Sequence, residues 1–229
     1  MRRPIIFVLV LVSSAVVSAS AGPSGAVLPT NWHISAPSGA IGVTGTMPQG
    51  LALSPDGQLI AVVESGAGPA GLRIFEQSSL RERAYVALKG AFGSPVWDGS
   101  SHVWVALANL HAVGRVDIAA GTLERSIDTG ADSWPAAVAL SPDGKTLAFS
   151  DDAKARAGFI DTATSAVTKR VATGKHSGEL AYSPDGKTVA VANRGARTIT
   201  LIATGSMQTR PADVGLHPSA IAFTRDGAQ

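Results

Sequence analysis

Short runs in which apolar and polar residues alternate, divided by Ser, Pro, Asp and Gly, recur along most of this chain. Residues 50–64 set the pattern: an apolar run, then Ser54-Pro55-Asp56-Gly57, then a second run rich in β-branched side chains. Alternation with period two predicts a strand on each side, and the tetrapeptide predicts the turn that joins them. Pro55 presets φ for the first central position, Asp56 accepts from nearby backbone amides, and Gly57 takes the positive φ of a following bulge. Close copies return at Val138–Asp151 and Leu180–Asn193.

The turn aspartate measures the repeat. Asp56, Asp98, Asp143, Asp185 and Asp226 are spaced 42, 45, 42 and 41 residues apart. Asp98 needs eleven residues to reach a polar strand end at Asn109, where its counterparts need eight, which predicts an insertion at Ser100–Val103. A period near 40–45 fits propeller blades or paired helices. Each unit holds four short Val/Ala/Leu/Ile-rich segments and no stretch of ten with helical spacing, so the prediction is all-β. Four units of four strands run from Met47 to Val214, and a fifth begins at His217 and stops after its turn.

Before the repeats, Arg2 and Arg3, the apolar stretch Ile5–Val17 and Ala19-Ser20-Ala21 predict a secretory signal peptide over residues 1–21. The apolar stretch is too short to span a bilayer. The expected location is therefore secreted or periplasmic, with no stable membrane span after cleavage. Residues 22–45 read as a linker with strands at Trp32–Ile34 and Ala40–Val43, and residues 46–229 as the propeller array.

Composition narrows the chemistry. The chain has no Cys, which excludes disulfides, thiolate metal sites and a lipid-bearing cysteine. A net charge of +2 with scattered Lys and Arg gives no basis for a nucleic-acid partner. Nucleophile and metal motifs are absent, and the Gly-Lys-Thr runs at 144–146 and 186–188 follow strands that turn back as hairpins and lack the glycine that opens a phosphate loop.

Repeat symmetry gathers two sets of candidates. His176 and His217 stand at the loop leading into a first strand, where Trp134, Phe92 and Met47 stand in other units. They form either a ligand-binding rim at the channel mouth or a layer that packs each blade on its neighbour. Glu64, Asn109, Asp151 and Asn193 end the second strands, beside Asp152 and Arg194. They are either oxygen ligands for a hard cation such as Ca²⁺ or ordinary turn residues. No catalytic residue is assigned, and the four Trp residues are expected in cores and between blades.

Trp134–Thr164, His176–Thr204 and His217–Gly227, with a looser match over Thr46–Leu80, resemble YVTN-type β-propeller repeats, which are similar to seven-bladed lactonase propellers. The opening Leu28–Ile34 resembles the start of exported bacterial proteins in which a propeller precedes an alkaline-phosphatase-family phosphoesterase domain. The resemblance implies seven blades, so four units and a fragment lead us to expect blades beyond Gln229. The expected function is a binding or scaffold domain presenting loops to a protein, peptide, glycan or small ligand. The alternative is part of a hydrolase, either lactonase-like or with its phosphoesterase domain beyond Gln229.

Overall fold

The computed structural model describes residues 26–27, 33–34 and 44–227. The signal segment, Trp32 and Ala40–Val43 lie outside them. In the N-terminal unit, β1 (Ala26–Val27) pairs antiparallel with β2 (His33–Ile34). Residues from Thr44 onward form the second unit.

That unit holds four antiparallel sheets, each of four consecutive strands in meander order. Blade 1 is β3 (Pro48–Leu53), β4 (Leu59–Glu64), β5 (Gly71–Glu76) and β6 (Glu82–Ala87). Blade 2 is β7 (Ala91–Asp98), β8 (His102–Leu107), β9 (Ala112–Asp117) and β10 (Thr122–Asp128). Blade 3 is β11 (Pro135–Leu140), β12 (Thr146–Asp151), β13 (Arg156–Asp161) and β14 (Ala166–Ala172). Blade 4 is β15 (Ser177–Tyr182), β16 (Thr188–Asn193), β17 (Thr198–Ala203) and β18 (Thr209–Asp213). The sole helical element among the described residues is a 3₁₀ turn at Ala108–Leu110. The all-β, propeller-type architecture is as the alternation predicts.

The Ser-Pro-Asp-Gly turns are built alike three times over. Ser54, Ser141 and Ser183 donate their hydroxyls to the aspartate two residues on, at 2.6, 2.7 and 2.6 Å. The same hydroxyl accepts the amide five residues on, from Leu59, Thr146 and Thr188. Gly57, Gly144 and Gly186 sit at φ between 70° and 72°. The fifth turn forms too, with Thr224 Oγ1 bonded to Asp226 at 2.7 Å, although no strand is formed over residues 218–224. Local chemistry alone thus closes the turn, while a strand needs a ladder partner.

Blade 2 departs from the predicted register. Asp98 pairs with His102 across its hairpin, which places Asp98 where the other turns have Ser and makes this turn one residue shorter. The insertion expected at Ser100–Val103 is therefore absent. The extra length lies in β7, where the register slips between Phe92 and Val96. The other first strands have a one-residue bulge at the corresponding place.

Consecutive blades pack face to face, so that blades 2 and 3 each bury one pleat face on the preceding sheet and the other on the following one. Ala61, Val63, Leu72 and Ile74 of blade 1 meet Trp97, Val103, Val105 and Leu107 of blade 2. Trp104, Ala106 and Val113 on the other face of blade 2 meet Val138, Leu147, Phe149 and Ile160 of blade 3. The small side chains of Ala137, Ala139, Ala148 and Ala157 then receive Leu180, Val189, Val191 and Ile202 of blade 4. Trp97 also donates its indole N–H to the Ala52 carbonyl at 3.0 Å, which fixes blade 2 on blade 1 by direction as well as by area.

Candidate functional site

The first strands converge at the centre of the second unit. Ser94 of β7 donates to Glu179 Oε1 of β15 at 2.9 Å, reaching past blade 3 altogether. Such a bond between alternate blades requires both strands to face a common axis. Two close backbone approaches support it. A Cβ on Gly50 would lie 2.6 Å from Ser94 Cα, and one on Gly93 would lie 1.9 Å from the Ala136 carbonyl oxygen.

Backbone bonds define the lead-in position of every blade. The amides of Ser65, Ala108, Asp152 and Arg194 donate to the carbonyls of Met47, Gly90, Trp134 and His176. The position in blade 2 therefore belongs to Gly90, and the assignment to Phe92 is corrected: the long bulge in β7 shifts the sequence alignment by two. Met47, Gly90 and His176 adopt φ of 52°, 78° and 54°, and His217 repeats this at 53°. His176 and His217 are exposed. His176 Nδ1 lies 3.2 Å from Asp152 Oδ1.

Phe92 serves a different purpose. Its ring meets Trp134 edge to face, with centroids 6.2 Å apart and planes at 72°. The pair stands at one end of a cleft of about 750 Å³ between blades 1 and 2, whose walls also include Met47, Ser65, Pro69, Lys89 and Asn109. The Ser65 hydroxyl is buried without a hydrogen-bond partner among the described residues. Lys89 is exposed at the rim and enters no ion pair with the described residues. Of the residues grouped from the sequence, then, Met47, Phe92, Trp134 and Asn109 share this cleft.

The proposed polar ring divides. Glu64, Asp151 and Asn193 do share a register, opposite Pro48, Pro135 and Ser177. The fourth member at that register is Leu107, opposite Ala91, and Asn109 lies beyond it in the 3₁₀ turn, exposed. That part of the expectation is corrected by the same misalignment of blade 2.

The three buried members are engaged within their own blades. Glu64 holds Arg73 through two bonds, of 2.9 and 3.1 Å, and accepts the Gly45 amide at 2.6 Å. Asp151 holds Arg156 at 2.9 Å and accepts the Trp134 amide at 2.9 Å. Asn193 donates to Thr198 and Thr200 at 3.0 and 2.8 Å. Each therefore staples a second strand to its third strand or to the lead-in loop, and two carry guanidinium groups where a cation would need open oxygens. Among the described residues no three His, Asp or Glu side chains converge in a metal-holding arrangement.

Trp97 and Trp104 are buried, as expected, and Trp134 is half-buried in the cleft wall.

Glu179 was not a sequence candidate. Burial pushes its carboxyl above the usual range, against the Ser94 hydrogen bond and the nearby Arg194 charge. Its one sequence signal is an acid in a first strand whose blade 3 counterpart is Ala136-Ala137. Because the folded protein holds this proton more tightly than the unfolded chain, the carboxyl's contribution to stability is present below the unfolded value and falls as pH rises through the folded one. Glu179→Gln is thus expected to gain stability relative to wild type between pH 4 and pH 7, as read from urea midpoints. A gap that narrows over that interval would contradict the shift.

Comparison with known proteins agrees with the propeller architecture. The family model described as "Lipoprotein LpqB beta-propeller domain" matches residues 30–144. No curated protein matches the sequence. Hydrazine synthase from Kuenenia stuttgartiensis superposes with a TM-score of 0.68 at 21% identity, over 83% of this chain and 56% of that one. A functionally unknown protein from Desulfotomaculum acetoxidans superposes with a TM-score of 0.62 at 16% identity, over 74% of this chain and 56% of its own. The chain thus spans little more than half of either protein, and at these identities the likeness is one of fold. The family match covers half of the sequence, including blades 1 and 2 and the first strand of blade 3: the chain belongs to the LpqB-type lipoprotein β-propeller domain family.

Proposed function

We propose that this propeller is an extracytoplasmic binding domain whose ligand seats in the cleft between blades 1 and 2. The observation that carries the reading is the Phe92–Trp134 pair facing a roomy cleft with an unpaired cation, Lys89, at its rim. Aromatic edges and faces receive an apolar or aromatic group, while Lys89 and the orphan Ser65 hydroxyl suit a carboxylate or carbonyl. A peptide end carrying an aromatic residue has that chemistry. Export is supported by the N-terminal Arg pair and apolar run, and by the lipoprotein description of the family. The hydrolase reading rests on the resemblance of the repeats and of Leu28–Ile34, and no group in the cleft adds to it.

The test is a titration of the whole chain with N-acetylphenylalanine and with its neutral amide, followed by tryptophan fluorescence. Trp134→Ala is expected to weaken both at least about tenfold, the scale of a lost aromatic contact in a desolvated pocket. Lys89→Gln is expected to weaken the acid a few-fold and leave the amide unchanged. Equal affinities for wild type and Trp134→Ala, or no binding to wild type, would sink the proposal.

A further inference from the structure

We infer that the axis of the propeller holds a second binding site, for a small zwitterion that carries a carboxylate and an amino group. A pocket of about 170 Å³ lies where the first strands converge, lined by Gln49, Phe92, Ala136, Glu179, Arg194 and Ser219, with Gly93 and Gly178 forming the backbone parts of its wall. It has room for about five waters, or for one molecule the size of alanine.

The charges in this pocket are arranged as an unclosed pair. The Ser94 hydroxyl donates to Glu179 Oε1 at 2.9 Å, and the Ser94 amide also acts on the carboxylate, so Ser94 holds its orientation without supplying a charge to neutralise it. Arg194 lies over Gly178, its Nε 3.3 Å from where a Cβ on that glycine would stand. Its guanidinium is near enough to Glu179 to act on it electrostatically, and the two lie farther apart than a direct ion pair. A guanidinium offers a fork of donors suited to a carboxylate, and a carboxylate suits an ammonium. A ligand with both groups closes the pair. Glycine at 93 and 178 adds no side chain to the lining, and the Gln49 amide adds a neutral donor and acceptor to it. This pocket shares Phe92 with the cleft between blades 1 and 2, but the charged groups that define it, Glu179 and Arg194, take no part in that cleft.

The experiment is calorimetric titration of the full chain with three probes: L-alanine, isobutyrate, which lacks the ammonium, and isopropylamine, which lacks the carboxylate. Alanine is expected to bind wild type at least about tenfold more tightly than either partial probe, the scale of one charge-assisted hydrogen bond. Glu179→Gln is expected to reduce alanine affinity by about tenfold and leave isobutyrate unchanged, whereas Arg194→Gln weakens both. Amide shifts at Gly178 and Glu179 on adding alanine to wild type give a readout that survives a variant that fails to fold. Absence of alanine binding, equal affinity for alanine and isopropylamine, or affinities untouched by both substitutions would overturn the assignment.

Discussion

Gly93→Ala is expected to lower the unfolding free energy by about 2–5 kcal/mol, or to prevent folding altogether. Two costs combine. At φ +67° a side chain is strained by roughly 1–2 kcal/mol. The new methyl would also lie 1.9 Å from the Ala136 carbonyl oxygen, in a strand held by its own ladder, and forced overpacking adds about 1–3 kcal/mol. Gly99 supplies the control. Its φ is +64° but no atom lies within 4 Å of a Cβ built there, so Gly99→Ala should show the backbone cost alone. Urea unfolding of both variants separates the terms, and equal losses would show that blades 2 and 3 do not approach as described.

Removing Asp151 is the second large effect expected. Asp151→Ala should cost about 3 kcal/mol, near the lower end for breaking a buried ion pair, because Arg156 is still 26% exposed and can recover some hydration. The Trp134 amide loses its acceptor at the same time. The double variant Asp151→Ala/Arg156→Met should be more stable than Asp151→Ala, since no unpaired charge is left. The same series decides what the carboxylate is for. Were Asp151 a calcium ligand, calcium would raise the melting temperature of wild type and not of Asp151→Ala. With Arg156 already in place, no calcium-dependent shift is expected. Since Asp151 also positions Trp134, the variant should weaken ligand binding in the cleft.

The repeats were legible because their signal is local. A hydroxyl residue and an Asp two residues on close the same turn each time, even at Thr224–Gly227, where Thr and Arg stand in place of Ser and Pro. Blade 2 misled for the same reason. Asp98-Gly99 imitates the turn dipeptide, but Arg115 holds Asp98 at 2.8 Å and the hairpin closes one residue sooner. Aligning on that aspartate displaced Phe92 and Asn109 from their true equivalents, Gly90 and Leu107. Glu64, Asp151 and Asn193 were placed correctly as a register, but whether such oxygens face a channel or an arginine on the next strand depends on pairings that spacing does not encode. Phe92 and Trp134, 42 residues apart, meet only because β7 and β11 are neighbours. Glu179 escaped notice because its partner Ser94 lies 85 residues away.

The measurement that bears most directly on the binding reading is a set of intermolecular nuclear Overhauser effects from bound N-acetylphenylalanine. Contacts from its ring to the Trp134 indole and the Phe92 ring, with its carboxylate end near Lys89, are the expected result. Binding whose contacts fall elsewhere, on the exposed Leu51 and Leu53 of blade 1 or on the outer strands, would contradict it.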